Sequence, residues 1–418
     1  MTRPRAVARQ LATVGTAVAV ASVLGYVLQV AVGRSLSPAD YGVFVAFWGA
    51  TFGLASSLST VEQEVARRTA DRDPTSVPST ATLTVTAAVL ALLLGALTLI
   101  PAVGDRIYGA PSPALAVVVL VSAAGFAVQF ATRGRLIGQD RTRPFGVLVV
   151  VEAAARLVAL VVAFVLVTEL TPEVAAVCVG FGAFAWLALW APAREVLRGA
   201  RREHVPAAVR RAGTLMVAAA LTAVLITGYP TLVTALTGEA PGAAGGAVFA
   251  ALTVSRVPLL VVSPVQAVTV PAVVRWRATA ADGGAAMLRA IVRRGGAALL
   301  VLAALAGAVA WFVGPWAVRL LYGPAYDVPA LAVALLVGSA CLLAGALLVS
   351  AALVAVEARG AMTAMWGAAL AGTAVWLLAS PYELVLTTAI GALVGPVLAL
   401  GVGTTALVLR TGRLGADA

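Results

Sequence analysis

The 418-residue chain contains no lysine; all 29 of its basic side chains are arginine. Histidine occurs once, at His204, in an Arg-rich stretch with no second His or Cys nearby, which excludes a zinc centre. The two cysteines, Cys178 and Cys341, each sit inside an apolar run and read as small core residues, neither a disulfide pair nor metal ligands. Charged residues make up only 11% of the chain, against ~25% in a typical soluble domain. There is no G-x-x-x-x-G-K-[ST] segment, so the chain has no ATP site of its own, and no H-E-x-x-H or G-x-S-x-G to support hydrolysis. Paired acids and a long acidic outer loop, which a membrane glycosyltransferase would need, are also missing. No enzymatic activity is expected.

What is present is apolar. Hydrophobic residues make up 61% of the sequence and the mean hydropathy is +1.00, which together mark an integral membrane protein. Stretches of about 20 apolar residues recur near 11–32, 43–60, 79–103, 112–131, 145–168, 172–191, 214–237, 244–273, 295–313, 329–355, 361–380 and 385–409. They predict an all-α polytopic membrane protein with about twelve transmembrane helices. The first run, Leu11 to Val32, follows Arg3, Arg5 and Arg9 and is long enough to span, so an uncleaved first helix is expected in place of a signal peptide.

The net charge of +11 would suggest a nucleic-acid partner in a soluble protein, but the arginines are sorted by side. Three of them (Arg34, Arg106, Arg319) fall in the loops on one face, and Arg156 and Arg256 lie within spans. All the others fall on the face that holds both termini. Such asymmetry over short loops predicts that both termini and the 192–213 loop are cytoplasmic, in a bacterial plasma membrane, with the arginines drawn to anionic lipid. No nucleic acid is implied.

Two segments read alike. Arg106-Ile107-Tyr108-Gly109 precedes Pro113-Ala114-Leu115-Ala116-Val117, and Arg319-Leu320-Leu321-Tyr322-Gly323 precedes Pro329-Ala330-Leu331-Ala332-Val333. One follows span 3 and the other span 9, so six spans separate them and the orientation is the same. This predicts two six-helix bundles, 1–191 and 214–418, related by pseudo-two-fold symmetry about the membrane normal and joined by a basic linker, 192–213.

Charges at mid-membrane depth cost about 2.5–3.5 kcal/mol each on insertion scales, so a chain keeps them where they face a wet cavity or a partner. Glu152 and Arg156 are four residues apart in span 5, on one helical face. They either neutralise each other or place Arg156 toward a cavity, where its planar set of donors suits a phosphate. Arg256 in span 8 has no acid within a turn and has Pro258 close by, which makes it a candidate cavity residue. Gln29, Gln129 and Gln266 lie within spans and either bind sugar hydroxyls or tie helices together. Arg34 with Asp40, and Glu62 and Glu64 beside Arg67 and Arg68, suit interfacial ion pairs.

Several motifs together resemble one family. Arg34-Ser35-Leu36-Ser37-Pro38-Ala39-Asp40-Tyr41-Gly42-Val43-Phe44 is similar to the R-x-L-x-P-x-x-Y-G-x-F loop of bacterial polysaccharide exporters, a branch of the multidrug/oligosaccharidyl-lipid/polysaccharide (MOP) exporter superfamily. Arg133-Gly134-Arg135-Leu136-Ile137-Gly138, followed by Glu152 and Arg156, resembles that branch's R-x-x-L-x-G…E-x-x-x-R pattern. Gly314-Pro315, with Leu320-Leu321-Tyr322-Gly323 and Tyr326, resembles its G-P…L-L-x-G-x-x-Y loop after span 9, and the Pro-rich span 8 from Arg256 to Pro271 resembles a helix of its second lobe. The resemblance implies two bundles facing each other in a V and alternating access without a cofactor, coupled to protons or sodium. It also implies a monomer that flips polyprenyl-pyrophosphate-linked oligosaccharides for cell-surface polysaccharide biosynthesis, alongside the enzymes of that process. A multidrug-type exporter of the same superfamily is the alternative, and a membrane glycosyltransferase a more distant one. Arg156, Arg256, Glu152, Gln29, Gln129 and Gln266 would be the substrate-binding set.

Overall fold

A computed structural model describes residues 4–70, 77–109, 112–198, 205–257, 259 and 284–414. Every regular element among them is helical. The helices are α1 (Pro4–Ser35), α2 (Pro38–Ala70), α3 (Val77–Ala96), α4 (Pro101–Tyr108), α5 (Pro113–Gly138), α6 (Thr142–Leu166), α7 (Pro172–Phe181), α8 (Trp190–Arg198), α9 (Val205–Ile226), α10 (Tyr229–Thr237), α11 (Gly242–Ser255), α12 (Gly284–Tyr322), α13 (Ala330–Ala355), α14 (Arg359–Ala379) and α15 (Leu384–Leu414). A 3-10 helix, Gly182–Leu189, joins α7 to α8 within one span.

Among the described residues, ten helices are long and apolar enough to cross a membrane. The apolar helices α9 and α10, which meet at 82° across Thr227 and Gly228, make an eleventh when counted together as one span. The predicted eighth span begins as α11, and the rest of it, with Gln266 and Pro271, lies outside the described residues. The described helices are consistent with about twelve spans, and the chain is a multi-pass membrane protein. Large apolar side chains stay open on its outer surface, Val165 and Phe312 at 81% each, as lipid-facing positions should.

Helix starts follow local chemistry. At the start of α2 the Ser37 hydroxyl accepts from the Asp40 N–H at 3.2 Å and donates to the Asp40 carboxylate at 2.6 Å, with Pro38 in the first turn. Asp40 is therefore engaged by Ser37. In α7 the Thr171 side chain caps the Val174 N–H, again followed by proline. The expected turn at Gly314-Pro315 does not form: Pro315 lies inside α12, which runs on to Tyr322. The missing proline N–H is tolerated in a membrane helix whose neighbour packs tightly, and a Cβ on Gly314 would lie within 2.4 Å of Val333 on α13.

The chain divides into two compact units, Met1–Gly242 and Ala243–Ala418. In the first unit, Leu58, Val61 and Val65 of α2 pack with Leu83 and Ala87 of α3, Phe126 and Ala131 of α5, and Ala212 and Met216 of α9. The span beginning at α9 thus packs with the first unit, whereas the symmetric division at 192–213 assigns it to the second half. Its extension α10 is held there as well, because the Thr231 hydroxyl donates to the Ala46 carbonyl at 2.6 Å. α2 and α5 meet backbone to backbone. A Cβ on Gly134 would stand 2.3 Å from the Glu62 carbonyl oxygen, and one on Gly138 would stand 2.5 Å from that of Ala66. Glycines four apart on one face permit this approach.

In the second unit α12 and α15 flank α13, and α14 packs on α15. Indole N–H groups tie these helices: Trp366 donates to the Ser350 hydroxyl at 3.2 Å and Trp376 to the Thr387 carbonyl at 3.0 Å. Cys178 and Cys341 are free and buried.

The two similar segments adopt the same local structure, one in each unit. Each begins as the end of a helix with a buried tyrosine, Tyr108 or Tyr322, both 2% exposed. Each continues through a left-handed glycine, Gly109 at φ 78° or Gly323 at φ 112°, whose N–H returns to the carbonyl four residues back. A new helix then starts at or after proline, at Pro113 or Pro329. A side chain in the left-handed region costs about 1–2 kcal/mol. The surroundings of the two glycines differ: a Cβ on Gly109 would also lie 2.7 Å from that of Ala240, whereas Gly323 has open space. Gly109→Ala is therefore expected to lower thermal stability in detergent more than Gly323→Ala. Equal losses would remove the Ala240 contact as a constraint.

Candidate functional site

The densest polar constellation within the described spans is built on α5 and α6. On α5, Phe126, Gln129, Phe130 and Arg133 follow helical i, i+3, i+4, i+7 spacing and share one face. On α6, Glu152 and Arg156 stand one turn apart on the facing side. All three of Gln129, Glu152 and Arg156 are buried.

The Glu152 carboxylate is the centre of this site. Its Oε1 accepts from Arg156, and its Oε2 accepts from Arg133 and, at 2.6 Å, from the Gln129 amide. One carboxylate thus engages two guanidinium groups and one amide across the helix seam. Such a buried anion persists because paired cations and full hydrogen bonding offset its desolvation. Glu62 on α2 stands close enough to feel the charges of both Arg133 and Glu152.

Aromatic rings wall the cations. The Arg156 guanidinium lies 4.7 Å from the Phe52 ring centre and 5.9 Å from that of Phe126, and Arg133 lies 5.1 Å from Phe130. Phe52 in turn packs against Trp48, the ring centres 4.3 Å apart and the planes tilted by 36°. Room for Arg156 is made by Gly182, where a Cβ would come within 2.3 Å of the Arg156 Nε. The Nε atoms of Arg133 and Arg156 and the Oε1 of Gln129 are buried with no hydrogen-bond partner among the described residues.

The structure brings together three of the six residues singled out in the sequence, Glu152, Arg156 and Gln129. Glu152 and Arg156 do pair, and Gln129 binds the carboxylate. Gln29 is elsewhere, on α1, where it accepts from the Tyr41 hydroxyl of α2 at 3.3 Å and ties the two helices. Arg256 lies just past the end of α11 in the second unit, half-buried, its N–H donating to the Thr253 carbonyl. Gln266 is outside the described residues. Of the expected interfacial pairs, Glu64 binds Arg67 and Arg68.

Arg133 requires a correction. Its place among the loop arginines of the termini-bearing face does not hold, because α5 continues through it to Gly138 and its side chain reaches Glu152. The missed signal was the one-turn step from Gln129 to Arg133 on a face that also carries Phe126 and Phe130.

Removing one member of a buried ion cluster leaves its partners uncompensated, at a cost of about 3–5 kcal/mol. Glu152→Leu is expected to destabilise the protein on that scale in a denaturant titration in detergent, with Gly182→Leu also destabilising through its clash with Arg156. A Glu152→Leu variant as stable as the wild type would show that the carboxylate does not hold the two cations.

No family model matches the chain. It is similar over nearly its whole length to uncharacterized mycobacterial proteins. Rv3630 of Mycobacterium tuberculosis is 30% identical over 408 residues, covering 95% of this chain and 91% of its own. Rv1510 of the same organism is 31% identical over 413 residues, covering 96% and 92%. Among solved structures, an inward-facing multidrug resistance MATE family transporter of the MOP superfamily superposes with a TM-score of 0.65 at 15% identity, over 94% of this chain and 95% of that one. An outward-facing one gives 0.58 at 15% identity, over 98% and 97%. The eukaryotic MATE transporter AtDTX14 gives 0.57 at 16% identity, over 97% and 95%. The chain belongs to the same family as the mycobacterial proteins Rv3630 and Rv1510, and it has the fold of the MATE transporters of the MOP superfamily.

Proposed function

We propose that the protein is a MOP-type exporter in the plasma membrane whose cargo presents a phosphate-bearing head, a polyprenyl-pyrophosphate-linked oligosaccharide destined for the cell surface. The transporter reading is supported by the MATE-type fold along almost the full chain, together with composition that offers no enzymatic apparatus. The anionic cargo is supported by one observation above others: two guanidinium groups, the buried Arg156 and the half-buried Arg133, converge on a single carboxylate, and each keeps an Nε with no hydrogen-bond partner among the described residues. Arginine presents its donors in a plane that matches phosphate oxygens, so a pyrophosphate can compete for groups that Glu152 holds at rest. Arg256 adds a second cationic position along the chain.

Coupling is assigned to the same carboxylate. A proton or sodium ion arriving at Glu152 weakens its hold on Arg133 and Arg156, freeing both for cargo, and departure of the ion restores the clasp. Ion at Glu152 and cargo at the two arginines then favour each other's binding, which links the two. The head would be followed across by its polyprenyl tail in lipid, and the protein would work as a monomer beside the enzymes that make and polymerise the oligosaccharide.

A drug-exporting reading has its own support. Glu62 stands near enough to feel the charge of Glu152, and an aromatic row of Trp48, Phe52 and Phe126 walls the same cluster, which suits a flat organic cation. Reconstitution into proteoliposomes separates the readings. Transfer of a fluorescent polyprenyl-pyrophosphate disaccharide is expected for the wild type, with a roughly hundredfold loss in Arg133→Gln, the size of a lost charge-assisted contact of about 3 kcal/mol. Ethidium efflux should be absent. Efflux of ethidium with no transfer of the lipid-linked sugar would reverse the assignment.

A further inference from the structure

Apart from the carboxylate clasp, α1 and α6 leave an open groove of about 730 Å3 along their seam. This lies within the ~300–1,000 Å3 typical of pockets that hold small ligands. The two helices touch at its floor, where a Cβ on Gly146 would lie 3.1 Å from that of Ala17. Thr13 and Val20 line one wall, and Val147, 52% exposed, lines the other. The lining is apolar except for two threonine hydroxyls and one charge, Arg143.

Arg143 occupies the second position of α6 and is exposed, with no ion pair to any described acidic residue. The residue at the N-cap position, Arg141, makes no side-chain hydrogen bond to the first turn of α6. The positive end of the helix dipole and a guanidinium therefore meet at the mouth of an apolar trough. This mouth lies at the Arg-rich ends of the spans, the depth at which lipid headgroups sit.

We infer that this groove docks an anionic phospholipid, with an acyl chain laid between α1 and α6 and the phosphate against Arg143 and the start of α6. A zwitterionic lipid would fill the trough but bring its own cation to Arg143. A soluble phosphate would meet the charge but leave the apolar walls wet. Only a lipid with net negative charge satisfies both parts of the surface. The inference requires that the chain spans a membrane and does not depend on the identity of the cargo.

Native mass spectrometry of the purified, delipidated protein tests it by titration with phosphatidylglycerol, phosphatidylcholine and glycerol phosphate. Wild type is expected to retain phosphatidylglycerol over phosphatidylcholine, and Arg143→Gln to lower that retention roughly fivefold, the value of one basic residue at a membrane surface. Val147→Trp, which fills the groove from its exposed wall, should lower retention of both lipids while leaving the melting temperature unchanged. Glycerol phosphate should not compete. Equal retention of the two phospholipids by the wild type, full retention by Arg143→Gln or Val147→Trp, or displacement by glycerol phosphate would each overturn the assignment. Because the two variants alter different walls, a folding failure in one leaves the other decisive.

Discussion

The hold of Glu152 on two guanidinium groups fixes the interior of the first unit. In hydrocarbon surroundings none of Arg133, Glu152 or Arg156 is tolerable alone, so both arginines require the carboxylate and the carboxylate requires a cation. The requirement sets the facing of α5 against α6, since the carboxylate must lie between residues from both. It also explains the small residue at Gly182 and the rings of Phe52, Phe126 and Phe130, which close around the cations where water would otherwise enter.

The same hold leaves the two signs of charge unequally satisfied. Every oxygen of the carboxylate is engaged, whereas the cations are not: each retains a donor directed at no described partner. A site whose anion is saturated and whose cations are not is disposed toward a second anion. At rest the arginines serve the fold.

Much of the fold was legible from composition and run length. Runs of about 20 apolar residues located the helices, and the Tyr-Gly and Pro-Ala-Leu-Ala-Val pairs pointed to equivalent turns that the structure bears out at Gly109 and Gly323. The break between α9 and α10 was hidden because hydropathy averages over direction: a span bent by 82° is as apolar as a straight one. Pro315 misled for the opposite reason, since proline ends helices in water more readily than in a packed membrane bundle. At the candidate site, the pairing of Glu152 with Arg156 was readable from one-turn spacing. Arg133 was not, because its partner lies on another helix and its position near a basic loop matched the sidedness pattern. Contacts between helices leave no trace in the spacing along either one.

The glycines at 134 and 138 carry a mechanical consequence. With no side chains between them, the main chains of α2 and α5 rest directly on each other and cannot slide or pivot without collision. The pair behaves as a single stiff beam carrying Phe52, Gln129 and Arg133. Bending within this unit falls elsewhere, and among the described residues the sharp break between α9 and α10, at Thr227 and Gly228, offers the joint.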